Sequence, residues 1–414
     1  MNVGILGGGQ LGYMLALAGY PLGLQFRFLD PSPEAPVGRI ALRVNADFTN
    51  VDALDRFVNG LDLVTYEFEN VPATAVKILA QRVSVFPPPV ALEVAQDRLN
   101  EKNLFRKLGI ATPDFLPVKN AGDLRAAVRE LGFPVVLKTC RMGYDGKGQW
   151  LLRQTADLDR ATAEMPAHLA PFAQASAATQ APAPGAPEPR ASATPSHGAP
   201  FVLERFVPFS RELSIISVRS RSGEIIFYPP VENHHREGIL RLSLAPAPHL
   251  ENSTRLAAED AARRVLEALD YVGVLAIELF EYEGQLLANE MAPRVHNSGH
   301  WTIEGAVTSQ FENHLRAICG YPLGSTATTG HSAMLNLIGE VPDPAQILAI
   351  PGAHLHLYGK TPRPGRKLGH VTLHAASTKL LSEKVAALPS FFRRPMFCLE
   401  AAIRPASASS VHAT

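Results

Sequence analysis

The chain of 414 residues is long enough for two or three domains that each bury a core of their own. Its 39 basic side chains balance 39 acidic ones, so no net charge favours a nucleic acid or an anionic membrane as a partner. Apolar residues make up 46%, yet no apolar run approaches the roughly 20 residues of a membrane span. Three widely separated cysteines and an N-terminus unlike a signal peptide favour the cytoplasm.

Residues 1–95 alternate apolar strands with helical segments, which predicts an open parallel sheet. Strands are predicted at 3–6, 26–29 and 61–66. The turn after the first strand fits G-x-G-x-x-G at Gly7, Gly9 and Gly12, and Asp30 ends the second strand. Alone, this weak motif allows three interpretations: a dinucleotide site, a site for a single phosphate, or glycines required only by a tight turn.

The next segment predicts a small β-rich unit with a flexible flap. A helix is predicted at 98–108, followed by strands at 133–138 and 149–152 that enclose a glycine-rich loop. The loop joins three glycines with Asp145 and Lys147, and Lys138 ends the strand before it. Free backbone amides and two lysines favour a phosphate site over a plain hairpin loop.

Between about 163 and 200, Ala, Pro, Ser and Thr dominate and aliphatic residues are nearly absent. Such a segment cannot bury enough apolar area to offset the entropy that ordering costs. We therefore predict a disordered insertion in this unit, with the docking of a partner as the less favoured alternative. We also expect a frayed tail after Arg404.

Order is predicted to resume at 201, where Glu204 and, further on, Glu212 belong to strands. These acids fit the adenine amino group and the ribose hydroxyls of a nucleotide, although a solvated strand face is the commoner explanation for such a pair. An amphipathic helix follows at 253–269. Its predicted apolar face consists of Ala258, Ala262, Val265, Leu266 and Leu269.

The densest group of polar residues lies at 278–302. Glu278 and Glu290 belong to two apolar strands that form a predicted hairpin around Glu283-Gly284. A carboxylate among aliphatic residues is costly unless a cation or a metal pairs with it. Two of them, joined by Asn289, suit a Mg²⁺ ion that bridges nucleotide phosphates, and a structural salt bridge is the alternative for one acid. Polar residues follow directly: Arg294, His296, Asn297, Ser298, His300 and Trp301.

Several cations surround a proline–glycine turn near the C-terminus, between further predicted strands at 334–338, 354–358 and 370–374. They are Lys360, Arg363, Arg366 and Lys367. Surface charge and an anion site are both compatible with such a run.

Together these segments resemble the 5-(carboxyamino)imidazole ribonucleotide synthases, a family of ATP-grasp enzymes. The resemblance covers nearly the whole chain except the insertion and the C-terminal tail. Its most specific parts are Gly143-Tyr144-Asp145-Gly146-Lys147-Gly148-Gln149, the run from Asn289 to Thr302, and Arg363-Pro364-Gly365-Arg366-Lys367-Leu368-Gly369-His370. The insertion departs from the family pattern and leaves the length of the lid domain open, but it removes no motif.

The fold that the resemblance implies is an ATP-grasp fold, α/β and α+β in class and divided into several domains. A biotin-carboxylase-like (Rossmann-like) α/β domain at 1–95 would precede an ATP-grasp lid domain at 96–207. A C-terminal ATP-grasp domain at 208–404 and a flexible tail at 405–414 would follow. ATP would lie between the lid and the C-terminal domain.

The resemblance also assigns site residues by motif match. ATP would be held by Arg98, Lys138, Tyr144, Asp145, Gly146, Lys147, Gly148, Gln149, Glu204, Arg205, Phe206, Val207, Glu212, His235, Asn289 and Glu290. Glu278 and Glu290 would bind Mg²⁺, with Mn²⁺ as an alternative. The loop at 8–11 would bind the ribonucleotide phosphate through Gly9, Gln10 and Leu11, and Glu69 would contact the ribose. Bicarbonate and the aminoimidazole would be surrounded by Asp145, Lys147, Arg294, His296, Asn297, Ser298, Lys360, Arg366 and Lys367.

The implied reaction carboxylates 5-aminoimidazole ribonucleotide with bicarbonate, through carboxyphosphate made from ATP, in de novo purine (IMP) biosynthesis. The products are 5-(carboxyamino)imidazole ribonucleotide, ADP and phosphate, and no biotin is required. We also expect a homodimer, a separate mutase that consumes the product, and no nucleic-acid or membrane partner.

Other functions are compatible with parts of the sequence. An oxidoreductase would use the glycine loop at 7–12 for NAD, and a screen of ATP with Mg²⁺ against NAD would separate it. A non-catalytic protein would only bind a nucleotide, but the presence of Lys138, Glu278 and Glu290 disfavours it. A sister ATP-grasp enzyme that uses formate is closer in fold, and the run at 289–302 argues against it.

Overall fold

The computed structural model describes residues 1–143, 148–165 and 198–393. In this part of the chain the strands form three sheets, of five, four and nine strands. The predicted site residues Tyr144, Asp145, Gly146 and Lys147, most of the predicted insertion and the predicted tail lie outside it. Residues 155–165 are helical, so regular structure extends slightly further toward the insertion than the sequence predicts.

The N-terminal sheet is parallel throughout, with the strand order β3-β2-β1-β4-β5. Its strands are β1 (Asn2–Leu6), β2 (Gln25–Leu29), β3 (Leu42–Val44), β4 (Leu63–Tyr66) and β5 (Ser84–Val85). The helices of this region are Gln10–Gly19, Val51–Val58, Ala73–Ala80 and Pro89–Ala95, with 3-10 turns at Tyr20–Leu22 and Pro36–Arg39. Two hydrophobic cores bury most residues of β1, β2 and β4, and the parallel sheet with its helices confirms the α/β prediction.

The second unit is a small antiparallel sheet with the order β6-β9-β7-β8. Its strands are β6 (Phe115–Val118), β7 (Val135–Thr139), β8 (Gln149–Leu152) and β9 (Phe201–Arg205), and its helices are Arg98–Lys107 and Ala121–Leu131. Lys138 lies on β7, between Gln149 of β8 and Val202 of β9. A central strand therefore carries this lysine into a buried position.

The largest sheet follows the order β15-β14-β10-β12-β13-β16-β18-β17, with β11 beside β10. Its strands are β10 (Arg211–Arg219), β11 (Ile225–Phe227), β12 (Val231–Arg236), β13 (Ile239–Ala245), β14 (Gly273–Tyr282), β15 (Gln285–Ala292), β16 (His331–Ile338), β17 (Ala353–Leu357) and β18 (Lys367–Ala375). Its helices are Asn252–Ala268, Thr302–Gly305, Gln310–Cys319, Pro344–Leu348, Thr378–Ala386 and Ser390–Arg393, with a 3-10 turn at Asn297–Gly299. The predicted apolar face of the first of these helices is buried, as expected.

One helix, Gln310–Cys319, carries a histidine that contacts both the N-terminal and the largest sheet. The backbone N–H of Val274 on β14 donates to His314 Nδ1 at 3.1 Å. Because Nδ1 accepts this bond, the ring proton lies on Nε2, which is 3.0 Å from the hydroxyl of Thr65 on β4. A buried, directional contact therefore joins the two units that carry most of the predicted site.

Cys140 and Cys319 are free and buried thiols within the described residues, and Cys398 lies outside them. Burial raises the pKa of Cys319 to about 11 and that of Cys140 further, so both remain protonated at neutral pH. Nowhere in the described ranges is a helix long and apolar enough to cross a membrane.

Candidate active site

Glu278 and Glu290 face each other across the hairpin of β14 and β15. The register pairs the two residues directly, and Ser214 of β10 pairs with Glu278 on the other side. Burial and then the neighbouring Glu290 raise the pKa of Glu278 to about 7. Burial acts to raise the pKa of Glu290, but its positive neighbours, Arg98 foremost and then Lys138, lower it to about 2. The sheet thus places two acids with different protonation behaviour side by side.

Arg98 and Glu101 project toward this hairpin from the helix that Asp97 caps. The Asp97 carboxylate accepts two backbone N–H groups of the first helical turn. Arg98 Nη1 donates to Glu290 Oε2 at 2.8 Å, and Glu101 Oε1 accepts the backbone N–H of Met291 at 2.5 Å. Burial and then Glu290 raise the pKa of Glu101 to about 8. The helix therefore positions β15 as well as one of its acids.

Lys138 belongs to a buried network of charges between β7, β9 and β15. Its Nζ lies 3.0 Å from Glu204 Oε2 and 3.2 Å from Asn289 Oδ1. Lys102 reaches the same Glu204 oxygen at 3.1 Å and the Asn289 carbonyl oxygen at 3.2 Å. Glu204 Oε1 is buried and has no hydrogen-bond partner among the residues described. An acceptor in this position is available to a ligand donor.

Glu212 and His235 form an ion pair between β10 and β12, with 2.7 Å between Oε2 and Nδ1. Glu212 and Glu278 together outweigh burial and raise the pKa of His235 to about 9, so the ring is charged at neutral pH. The register partner of Glu212 on β14 is Phe280. The ring of Phe209 stacks on the ring of Phe280, with 4.7 Å between the ring centroids. Polar and aromatic groups suited to a nucleoside are therefore adjacent.

Arg294 connects the hairpin to the N-terminal sheet. Its Nε donates to Glu69 Oε2, and its Nη1 donates to the carbonyl oxygen of Val295 at 3.0 Å. Glu69 follows β4, and Arg294 outweighs burial to lower its pKa. This ion pair joins the carboxyl end of β4 to the loop after β15.

The loop after β15 is held by Gln310, whose Oε1 accepts the His296 N–H at 3.0 Å and whose Nε2 donates to the His296 carbonyl oxygen at 2.6 Å. His296 Nδ1 lies 2.8 Å from Ser298 Oγ, and Nε2 lies 3.5 Å from Glu278 Oε1. Both polar side-chain atoms of Asn297 are buried without a hydrogen-bond partner in the described part of the chain. The side-chain amide of Asn297 is therefore able to donate to and accept from a ligand in this loop.

The glycine loop after β1 is braced by two carboxylates. Glu67 accepts the N–H of Gly9 at 2.7 Å and that of Gly12 at 3.0 Å, and Asp30 accepts the N–H of Gly8 at 2.6 Å. A Cβ at Gly9 would lie 2.5 Å from Glu67 Oε1, so the loop has no room for a larger residue there. Asp30 thus stabilises the loop, a role for which no dinucleotide is needed.

The predicted C-terminal cations separate in the structure. Lys360 Nζ donates to Gln10 Oε1 at the glycine loop. Arg366 donates to a carbonyl oxygen of its own turn at 3.1 Å. Lys367 is the first residue of β18. Burial raises the pKa of Glu278, and the positive charge of Lys367 acts in the opposite direction, which places Lys367 near that acid. Lys367 is therefore on the side of the acids and Lys360 on the side of the loop.

Most predicted residues that the structure describes lie in this continuous region, but the Arg205 side chain does not. It is exposed and pairs with Asp114, with 3.2 Å between Nε and Oδ2, because successive side chains of β9 alternate and Glu204 is the buried one. Phe206 is half-buried and Val207 is buried. The backbone N–H of Arg205 donates to the Asp114 carbonyl oxygen at 2.8 Å, so neither this group nor the side chain is open to a nucleotide.

Four residues of the region were missed by the sequence analysis: Glu67, Glu101, Lys102 and Gln310. Glu67 carried a usable signal, because it stands at the carboxyl end of a parallel strand, where open α/β sheets bind ligands. The other three lie on helices and reach the site only through long-range packing, for which the local sequence has no pattern.

Family models match most of the chain. Residues 1–96 match a ribonucleotide synthetase preATP-grasp domain, residues 103–175 and 184–311 match an ATP-grasp domain, and residues 332–384 match a phosphoribosylaminoimidazole carboxylase C-terminal domain. The fold and the site thus define an ATP-grasp enzyme, a carbon–nitrogen ligase that uses ATP.

An N5-carboxyaminoimidazole ribonucleotide synthase of Pseudomonas aeruginosa is 50% identical over 386 residues, 93% of this chain and 98% of the relative. The crystal structure of the synthetase from Thermus thermophilus matches at 54% identity and a TM-score of 0.82, over 93% of this chain and 97% of that one. A structure from Aspergillus clavatus, in complex with ADP and 5-aminoimidazole ribonucleotide, matches at 30% identity and a TM-score of 0.80, over 95% and 98% of the two chains.

The chain belongs to the N5-carboxyaminoimidazole ribonucleotide synthase family, which confirms the resemblance. This membership decides against an oxidoreductase that binds NAD at the glycine loop.

Proposed function

We propose that this chain carboxylates 5-aminoimidazole ribonucleotide with bicarbonate and ATP, giving 5-(carboxyamino)imidazole ribonucleotide, ADP and phosphate in purine biosynthesis. The observation that carries the proposal is the Arg294–Glu69 ion pair, which joins two different anion sites. Lys138 and the facing acids lie on one side of it, and the glycine loop lies on the other. Family membership supports the same reaction.

ATP would bind where the small sheet meets the largest one. Lys138 and Asn289 suit the phosphates, the unmatched Oε1 of Glu204 suits the adenine amino group, and Glu212 with charged His235 suits the ribose hydroxyls. The remaining predicted contacts come from Arg98, Tyr144, Asp145, Gly146, Lys147, Gly148, Gln149, Arg205, Phe206, Val207 and Glu290.

Mg²⁺ would bind Glu278 and Glu290. The donor set fits, because hard carboxylate oxygens face each other and Arg98 pairs with Glu290 alone, while Glu278 faces the imidazole of His296. Mn²⁺ accepts the same ligands. When bound, the metal would supply positive charge to the transferring phosphoryl oxygens.

The ribonucleotide would bind at the glycine loop. Gly9, Gln10 and Leu11 open a helix, whose first N–H groups suit a phosphate, and the Lys360 ammonium contacts Gln10. Glu69, oriented by Arg294, suits the ribose. Asp30 and Glu67 already accept the N–H groups of Gly8, Gly9 and Gly12, so the N–H groups of Gln10 and Leu11 are the ones proposed for the phosphate.

Bicarbonate would meet ATP beside Asn297 and His296, with Arg294 and Lys367 as nearby cations. One bicarbonate oxygen attacks the γ-phosphorus, ADP leaves and carboxyphosphate forms. The exocyclic amine then takes the carboxyl group, directly or through carbon dioxide, while phosphate leaves and the amine loses a proton. The flap must exclude water, because carboxyphosphate hydrolyses readily.

The other residues proposed around the carboxyl group are Asp145, Lys147, Arg366 and Ser298. The roles of Asp145 and Lys147 rest on the motif alone, since both lie outside the described residues. Arg366 contacts its own turn, and its role likewise rests on the motif. Ser298 was predicted to contact substrate, but its hydroxyl is fully buried beside His296.

We also propose a homodimer in the cytoplasm, with a separate mutase that consumes the product. The domain boundaries 1–95, 96–207, 208–404 and 405–414 belong to this proposal. They put one of the three sheets in each of the first three domains. Light scattering on the purified protein tests the dimer.

The reaction is tested by assaying the purified protein with ATP, Mg²⁺ and bicarbonate, with and without 5-aminoimidazole ribonucleotide. We expect ADP and carboxylated product in equal amounts, and product only when the ribonucleotide is present. With oxygen-18 bicarbonate, the released phosphate should be labelled, because the attacking oxygen stays with phosphorus. ADP without carboxylated product would contradict the proposed reaction, and unlabelled phosphate would contradict carboxyphosphate.

A further inference from the structure

A chain of buried side-chain hydrogen bonds runs from the largest sheet to His296. Ser243 of β13 donates to Asn233 Oδ1 of β12 at 2.7 Å, and Asn233 Nδ2 donates to Ser214 Oγ of β10 at 2.8 Å. Ser214 Oγ donates to Ser298 Oγ at 2.7 Å, and Ser298 Oγ lies 2.8 Å from His296 Nδ1. The three serines are fully buried and Asn233 is 4% exposed, so water does not compete for these bonds.

The direction of these bonds determines the role of His296 Nδ1. A hydroxyl has one proton, so Ser214, which accepts from Asn233, gives its own proton to Ser298. Ser298 then gives its proton to the next group, which is Nδ1. The backbone N–H of Ser298 also donates to Nδ1, at 3.4 Å. Two donors of different kinds therefore point at this nitrogen, and it must accept.

We propose that Ser298, Ser214 and Asn233 are positioning residues that hold His296 as the neutral tautomer with its proton on Nε2. Gln310 supports this arrangement by fixing the backbone N–H and carbonyl of His296. Because Nδ1 accepts from both the hydroxyl and the backbone N–H of Ser298, the ring carries a single proton, on Nε2, and is neutral. Ser298 thus acts through His296 rather than on a substrate.

In this tautomer the only ring proton faces the acids, since Nε2 lies 3.5 Å from Glu278 Oε1. His296 is then a hydrogen-bond donor that orients a carboxylate, in the way that outer groups orient metal ligands. It does not act as a base through Nε2, so another group must take the proton of the amine. This catalytic consequence rests on the proposed function, whereas the tautomer itself does not.

The tautomer is measured directly by two-bond nitrogen–proton NMR on protein labelled with nitrogen-15 histidine near neutral pH. The His296 signals are identified as those that disappear in the His296→Gln variant. We expect a protonated Nε2 and an unprotonated Nδ1. A proton on Nδ1, or on both nitrogens, overturns the proposal.

The chain is tested by Ser214→Ala, with Ser217→Ala as the matched control. Ser217 is a fully buried serine of the same strand whose hydroxyl donates to the Leu275 carbonyl oxygen at 3.0 Å, outside the chain. In Ser214→Ala, Ser298 loses its incoming bond and can accept from or donate to Nδ1, so signals of the second tautomer should appear. Ser217→Ala should keep the wild-type pattern.

Turnover provides the second measurement. We expect kcat of Ser214→Ala to fall about 10-fold, the scale of losing an outer-shell partner, with KM for ATP unchanged. An unchanged tautomer in Ser214→Ala overturns the proposal even if kcat falls. A wild-type tautomer in a protein that makes no carboxylated product contradicts the proposed function instead.

Discussion

At the residue scale, Glu278 and Glu290 have the same chemistry and the same strand pairing but opposite pKa shifts. Glu290 lies 2.8 Å from the Arg98 guanidinium, whereas Glu278 lies 3.5 Å from a neutral imidazole. The negative charge is therefore concentrated on Glu290 until a further cation joins the pair. For this reason Glu290 is the acid whose loss we expect to be most damaging.

Glu290→Gln should lower turnover by at least ~10²-fold, because it removes one preorganised charge from the phosphoryl-transfer site. The measurement is the rate of ADP release across a Mg²⁺ titration. Glu283→Gln is the matched control, since Glu283 is exposed in the turn of the same hairpin and should behave like wild type. Near-normal turnover of Glu290→Gln would remove Glu290 from the metal site.

Lys360→Ala should leave ATP affinity nearly unchanged while it cuts carboxylated product by ~10²-fold or more, on the scale of a lost oxyanion donor. The reason is its position, since Lys360 contacts Gln10 of the glycine loop and not the Lys138 network. ATP titration and the ratio of ADP to product are the measurements, with the exposed Lys379→Ala as control. An equal fall in ATP affinity and turnover would disprove the assignment.

At the element scale, the sequence predicted the strands and helices whose pattern is local. The apolar runs of β1, β14 and β15 and the stripe of helix Asn252–Ala268 are such patterns, because burial acts on them at a fixed spacing. The three-residue strand Leu42–Val44 has no buried residue and was missed. It forms by pairing with β2, which its own sequence does not encode.

Site geometry was predictable only where one element contains both partners. The hairpin spacing predicted that Glu278 and Glu290 lie on adjacent strands, whereas their direct pairing results from a register shift between Glu278 and Leu279 that no sequence pattern indicated. His235 reaches Glu212 from another strand, two residues beyond Asn233, which is the register partner of Glu212. Only the family resemblance, and no local pattern, pointed to His235.

The insertion allows an element-scale test, although residues 166–197 lie outside the described structure. Replacing 166–196 with a short Gly/Ser linker should leave stability and activity within about twofold, since closing a loop depends only weakly on its length. Thermal unfolding and kcat of the full-length and shortened chains are the measurements. A large drop in kcat would show that the segment takes part in closure or assembly.

At the scale of the whole molecule, buried titratable groups determine how the free energy of unfolding depends on pH. Some of them lower it in acid and others lower it in base. Burial lowers the pKa of His296 and His314 to about 3, and that of His300 and His370 further below 6.5. Burial raises the pKa of Glu101 and Glu278 above 4.5, and Glu212 raises that of His235 above 6.5 against its burial. The pH of greatest stability follows from this balance.

Burial also lowers the pKa of His374, so five histidines bind protons more weakly in the folded chain than in the unfolded chain. Below about pH 6.5 the free energy of unfolding therefore falls as pH falls. Glu67, Glu101 and Glu278, whose pKa values burial raises, oppose this change but are fewer. Above about pH 6.5 the folded chain loses protons from these acids and from His235, so stability falls as pH rises. Urea unfolding across pH should therefore give a maximum near pH 6.5.

His314→Gln provides the control for the acid side of this curve. In this variant the unfolded chain binds one proton fewer in excess of the folded chain. The slope of the free energy of unfolding against pH, between about pH 6.5 and 4.5, should therefore flatten by about 1.4 kcal/mol per pH unit. His354→Gln, which changes an exposed histidine, should keep the wild-type slope. An identical slope in both variants would show that His314 is not kept neutral by folding.

The two contacts Arg294–Glu69 and Lys360–Gln10 limit how such chains can recombine in evolution. In each contact a side chain near the N-terminal sheet meets one from the far end of the sequence. A chimera that takes residues 1–96 from a relative would keep both contacts only if that relative also supplies a glutamine at position 10 and a carboxylate at position 69. The glycines of the loop are therefore not enough to make the N-terminal unit exchangeable, because its partners lie in the rest of the chain.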